Sequence, residues 1–329
     1  MELFKKISFL FFALSATVVF SQKIYRQELK LMGSRFAISV VASDSISGHK
    51  LIGTAINEII RIEKKISSWD TNSETSKINR NAGVKPVKVS KELFNLLQRT
   101  MAISKLTDGA FDISYASMDQ IWKFDGSMKI MPSKEKIKQS VAKVGFENIL
   151  LNTEDQTVFL KLKGMKIGFG AIGKGYAADK AKKILIKKGV KGGVVNASGD
   201  MNTWGVQPNG NSWKVGITNP LNKNKIFAWF PLHNNAVVTS GNYEKYVIFN
   251  TKKYTHIIDP RTGYPSQGIV SVSVFASSAE LADALATSIF VMGEDVGLNL
   301  INQLKGVDCV IVADDGTISS SKNIDINNK

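Results

Sequence analysis

Beyond residue 192 the sequence becomes a succession of β-like runs: "GGVVNA", "MNTWGV", "SWKVGI", "KIFAWFPL", "AVVTS", "EKYVIF", "YTHIID" and "SVSVFA". No helical period separates one run from the next. Parallel neighbours need a crossover of a dozen or more residues, usually a helix, so runs arranged this way pair as antiparallel or mixed sheets. The expected fold class is α+β, with helices flanking the sheets, and a doubly wound parallel sheet is disfavoured.

The helices stand mostly before and after this block. "YRQELKLMGSRFAISVVAS" reads first as a strand pair bent at Met32 and Gly33. Leu51, Ile52, Ala55, Ile56, Ile59 and Ile60 then fall on one helical stripe. Capping and stop residues predict further helices from Ser90 to the Asp108-Gly109 turn, from Ser133 to Gly145, and from Lys174 to Lys188 before Gly189. The chain closes with "AELADALATSIFVM", "EDVGLNLINQL" and the strand "DCVIVAD".

The ends read differently from the middle. Lys5 and Lys6 precede the 14-residue run "ISFLFFALSATVVF", and Val19 and Ser21 supply the small residues a signal peptidase reads. The run is short of the ~20 residues that span a membrane. Residues 1–21 are therefore expected to be a secretory signal, residues 22–318 one domain, built as a unit or as two intertwined subdomains, and residues 319–329 a loose tail. No Cys follows the apolar run, which leaves no site for a lipid anchor. The expectation is a soluble protein outside the cytoplasm.

Charge narrows the partners. The formal net charge is +15, and removal of the signal takes two Lys and one Glu with it. A basic chain suits nucleic acid, an anionic membrane surface or a phosphorylated ligand. In "KEKIKQSVAK" and "KAKKILIKK", however, the lysines are scattered over the polar faces of helices, without the interleaved aromatics on which single-stranded bases stack. A nucleic-acid partner is not expected. The one cysteine, Cys309, lies in an apolar run and can form no internal disulfide.

"KIGFGAIGKGYAAD" matches two phosphate-binding patterns without satisfying either. Gly168, Gly170 and Gly173 spell GxGxxG, but the preceding run "TVFLKLK" alternates apolar residues with Lys and does not read as a central parallel strand. The P-loop match fails at Gly175, where a Ser or Thr hydroxyl should meet Mg²⁺. What survives is general: a glycine turn that opens a helix aims free N–H groups and Lys174 at one point, where an anion is stabilised. A plain turn, with Gly needed only for its backbone angles, is the competing explanation.

Three further segments carry chemistry. In "SSAELADALATSIF", Ser277 and Glu280 match a capping box, and Asp283 and Thr287 lie one turn apart on one face. Such a carboxylate and hydroxyl suit a hard cation such as Mg²⁺, although a Thr bonding back to its own helix explains the same spacing. "YTHIIDPRTGYP" sets His256 where a strand meets a turn, as a general base or as a structural imidazole. "TDGAFDIS" puts Phe111 and Asp112 just past a helix end, and "VVTSGNYEKY" ends a strand with Thr239, Ser240 and Gly241.

Taken in order, "LMGSRF", "TDGAFDIS", "GAIGKGYAAD", "NASGD", "TSGNYEKY", "HIIDPRTGYP" and "ADALAT" resemble the ApbE family of FAD:protein FMN transferases along nearly the whole mature chain. The resemblance implies an ApbE-like, T-fold-related α+β architecture. It also implies FAD as substrate, with Mg²⁺ held by Asp283, Thr287, the backbone of Ala171 and the adjacent Ala286. FAD would touch Met32, Trp69, Ala110, Phe111, Asp112, Lys174 and Ile257, with Thr239 and Ser240 in the same cleft. His256 would take the proton from an incoming Thr hydroxyl. The implied acceptor is a Thr-bearing protein, a subunit of a membrane electron-transfer complex such as the sodium-pumping quinone reductase. The signal places the protein in the periplasm, and the implied acceptor adds peripheral contact to the inner membrane. Two functions compete with transfer: a metal-dependent FAD pyrophosphatase, and an FAD-binding protein without turnover. The chain departs from the family at Gly168, where Asp is usual, and at Ser198, where Gly is common.

Overall fold

The structure is a computed structural model and describes residues 22–219, 222–242, 246–250 and 252–324. The expected signal at 1–21 and the last five residues lie outside these. No helix among the described residues is long and apolar enough to cross a membrane.

The largest sheet among the described residues has eight strands: β1 (Lys23–Leu31), β2 (Ser34–Ala42), β3 (Gly193–Ala197), β4 (Asp200–Trp204), β5 (Ala236–Gly241), β6 (Ile269–Ala276), β7 (Asp308–Ala313) and β8 (Ile318–Ser320). They lie side by side in chain order, and each pair is antiparallel. The other helices and strands of the described residues are all inserted between these strands. The α+β expectation with antiparallel sheets is met.

Helices cover one face. Packed on it are α1 (Ser45–Ile66), α3 (Gly173–Lys187) and α4 (Ala279–Met292); α2 (Lys91–Leu106) joins the same core, and shorter helices lie at Glu74–Arg80, Lys134–Ser140 and Glu294–Ile301. Asp44 starts α1 by accepting from Ser47 N at 2.8 Å, and Ser90 caps α2 in the same way. The stripe Ile52, Ala55, Ile59 and Ile62 of α1 is fully buried with Phe36, Ile38 and Val40 of β2 in the main core. On the other face, the hairpin Trp213–Asn219/Asn222–Leu232 buries Trp213, Val215 and Leu232 with Val41, Val194 and Val237. Both faces are therefore covered, and β6 is buried along nearly its whole length: Val272, Val274 and Ala276 lie in the main core, and the alternating Ser271 and Ser273 are buried as well.

Three expectations change. The helix from Ser133 ends at Ser140, because Asp119 N takes the Ser140 carbonyl at 3.1 Å and diverts it from the next helical bond. Residues 319 and 320 are not loose: they belong to β8, paired with β7, and Ser321 Oγ donates to Asp308 at 2.8 Å. Finally, the residue that caps α4 is Ser278, one position later than the capping box suggested, with its Oγ accepting from Leu281 N at 3.3 Å. Glu280 does not reach back to the cap. It pairs in bidentate fashion with Arg99 at 2.5 and 2.9 Å.

Candidate active site

The glycine loop leads to a helix start with no side-chain cap. The residue at position 175 is set by packing: a Cβ there would lie 2.2 Å from the Ala279 carbonyl oxygen, so only Gly lets α3 rest on the first turn of α4. In this contact Gly175 N donates to Asp283 Oδ2 at 3.2 Å. The P-loop hydroxyl is thus replaced by a helix crossing that brings a carboxylate from α4 to the same place.

Asp179, one turn further along α3, secures the crossing from the other side. Its carboxylate accepts from Ser278 Oγ at 2.7 Å, from Ala279 N and Glu280 N at 3.0 Å each, and from the Asn202 amide. The free N–H groups at the α4 start are satisfied by a residue of α3. The angular position of Asp283 and Thr287 then follows from this junction.

A cleft of about 750 Å³ opens above it. Its base is Gly168–Ala171 and Lys174, and α4 contributes Asp283 and Thr287. The segment after α2 supplies Ala110, Phe111 and Asp112, the end of β5 supplies Thr239 and Ser240, and the facing loop brings His256 and Ile257. Trp69 stands at the opening, 87% exposed. The walls are tied together: Gly168 N donates to Ile113 O at 2.9 Å, and Arg261, paired with Asp259, reaches Asp108 O at 3.4 Å. Thr239 and Ser273 share a hydroxyl bond at 2.8 Å.

Of the residues singled out in the sequence, Met32 and Ala286 do not line the cleft. Met32 sits behind the start of α3 with φ +49°, its N–H donating to Glu63 at 3.1 Å. Ala286 is fully buried in the core on α4 between Asp283 and Thr287. Asp200 was not singled out, and it is the ion-pair partner of Lys174, at 2.5 Å. It follows Ser198 and Gly199, both at positive φ, and the Ser-Gly pair of "NASGD" is the one local signal of the turn that places it.

Charge at the base of the cleft is unbalanced. Asp200 and Asp283 are each 3% exposed and share one ammonium, with Lys174 3.6 Å from Asp283. Burial alone would lower Lys174, but the two carboxylates outweigh it and hold the ammonium above its usual range. Burial, and then the charge of Asp283, push Asp200 up to about 7 despite the lysine. Surplus negative charge in a cleft that Thr287 and Ala171 also line fits a hard divalent cation, which takes oxygen ligands. Among the described residues no three His, Cys, Asp or Glu side chains cluster as a complete metal cage. A cation here would keep positions open for ligand oxygens. Across the cleft, burial raises Asp112, which still accepts from Ser114 N at 2.7 Å.

Set beside known proteins, a chain with this fold and cleft is an enzyme of the transferase class. The model of the ApbE family matches residues 32–311, and the chain belongs to that family. It is 28% identical to the FAD:protein FMN transferase of Klebsiella pneumoniae over 88% of this chain and 89% of that one. Its identity to the FAD:protein FMN transferase of Haemophilus influenzae is also 28%, over 89% and 88%. The crystal structure of the ApbE protein of Thermotoga maritima superposes with a TM-score of 0.82 at 31% identity, covering 91% of this chain and 97% of that one.

Proposed function

We propose that this chain is a Mg²⁺-dependent FAD:protein FMN transferase that moves FMN from FAD to a Thr hydroxyl of an exported acceptor protein and releases AMP. One observation carries the reading. Gly175 and Asp283, 108 positions apart in sequence, are joined by a hydrogen bond, and the loop and helix they belong to frame one cleft with Lys174 and His256.

Asp283 and Thr287, with the Ala171 carbonyl, would hold the metal, which when bound would neutralise charge on the pyrophosphate oxygens and ease departure of AMP. Lys174 places a fixed positive charge at the same point, on a helix start whose N–H groups favour phosphate. Phe111, Asp112 and Ile257 would line the bound dinucleotide, with Trp69 against it at the opening. His256 accepts the proton of the incoming Thr hydroxyl. The acceptor is a subunit of a membrane electron-transfer complex, met in the periplasm at the inner membrane surface. The signal-like N-terminus supports the periplasm, and the implied acceptor supports the membrane surface.

The test is incubation with FAD, Mg²⁺ and an acceptor subunit. Transfer leaves a covalently yellow acceptor and free AMP. Free FMN with AMP would instead mark a pyrophosphatase, and stable FAD without AMP a binding protein.

A further inference from the structure

The cleft continues past His256. Trp69, Tyr115, Ala116, His256 and Ile258 line it on one side and, on the other, line a second cavity of about 740 Å³. The residues named for FAD and metal divide unevenly between the two spaces: Lys174, Asp112, Thr239, Asp283 and Thr287 all line the first, and only Trp69 reaches the second. The second has a different character. Trp122 and Phe124 lie 6.5 Å apart with their planes 14° apart and give an apolar wall, in which Trp122 is 7% exposed, and Gln120, Arg80 and Lys166 add polar and cationic groups. Trp122 Nε1 donates to Gly263 O at 2.9 Å, which fixes this wall to the loop that carries His256.

A transfer between two substrates needs two approaches. The attacking and leaving oxygens lie roughly in line on opposite sides of the phosphorus, so the acceptor cannot enter where AMP departs. Resting on the transferase reading above, we propose that the second cavity seats an extended acceptor segment along the Trp122–Phe124 wall and delivers its Thr hydroxyl past His256. There the Thr oxygen bonds to the FMN phosphorus and the bond to the AMP oxygen breaks. The hydroxyl proton passes to His256, and AMP leaves with the electron pair.

The chain offers a clean way to plug this cavity. Cys309 is fully buried and its thiol is pushed up by burial to about 12, so it stays inert to maleimide. A Gln120→Cys variant labelled with a bulky maleimide fills the second cavity alone, and the same variant before labelling supplies the reference. Two readouts are followed: covalent FMN on a Thr-bearing subunit of a sodium-pumping quinone reductase, and FAD affinity by flavin fluorescence. Labelling is expected to cut transfer at least tenfold while FAD affinity stays within twofold. Transfer that survives labelling overturns the proposal, and so does a parallel loss of FAD affinity, which would give the cavity to the flavin. If the unlabelled variant and the wild type both release FMN and AMP without marking the acceptor, the transferase reading falls and takes this site with it.

Discussion

Gly175 and Ala279 are in backbone contact: the space a Cβ would need at position 175 holds the Ala279 carbonyl, 2.2 Å away. This contact sets the crossing of α3 over α4, and through it the distance between Lys174 and Asp283. Gly175→Ala is expected to cost about 1–3 kcal/mol as overpacking. Thermal unfolding should show it as a fall of several degrees, with weakened Mg²⁺ binding. An unchanged melting temperature would mean that the two helices are free to separate.

Asp179 acts on the same junction without lining the cleft. Its loss frees two N–H groups at the α4 start and the Asn202 amide. Partners that orient ligands typically govern metal affinity by about 10- to 100-fold. Asp179→Asn is expected to weaken apparent Mg²⁺ affinity by about tenfold, read by titration calorimetry, with circular dichroism unchanged. Equal Mg²⁺ affinity in the variant would remove Asp179 from this role.

The sign of the pH effect follows from Asp200. Its carboxyl is held up to about 7, chiefly by burial and then by Asp283, above the ~3.9 of an unfolded Asp. Between these values the folded state binds the extra proton, so the contribution of this group to stability falls as pH rises from about 4 to 7. In EDTA, the wild-type melting temperature should therefore drop more between pH 5 and pH 8 than that of Asp200→Asn. Added Mg²⁺ should recover the wild type at pH 8. Matching pH profiles for the two proteins would contradict the account.

His256 stands between the two cavities. Proton removal by a placed base contributes about 10²- to 10⁴-fold. His256→Ala should lose transfer in that range while FAD binding persists. A wild-type transfer rate in this variant would disprove the assignment.

Ser198 has φ +60°, a left-handed conformation that costs a residue with a Cβ roughly 1–2 kcal/mol and Gly little. Gly would take this conformation without that cost. Ser198→Gly is expected to raise the melting temperature slightly, the gain being offset in part by the entropy of Gly in the unfolded chain. A lower melting temperature would point to an unrecognised bond from the hydroxyl.

Local signals made much of this structure legible. Successive β runs gave the antiparallel sheet, Ser90 and Ser133 gave helix starts, and the four-residue spacing put Asp283 and Thr287 on one side of α4. What was hidden depends on pairs distant in sequence. Nothing near Asp200 shows that it meets Lys174, because the two are 26 positions apart and meet only where β4 packs beside α3. Asp179 carries no local signal of its role, which exists only against the start of α4. Gly175 suggested a failed phosphate motif until the helix crossing accounted for it.

The central claim is that Asp283, with Thr287 and the Ala171 loop, makes the cleft metal-dependent in transferring FMN. The most direct measurement is the intact mass of a Thr-bearing acceptor subunit after incubation with FAD and Mg²⁺ and either wild type or Asp283→Ala. The account predicts one added FMN with the wild type, lost in EDTA and lost with the variant. An acceptor that gains FMN at the wild-type rate from Asp283→Ala, or in EDTA, would contradict it.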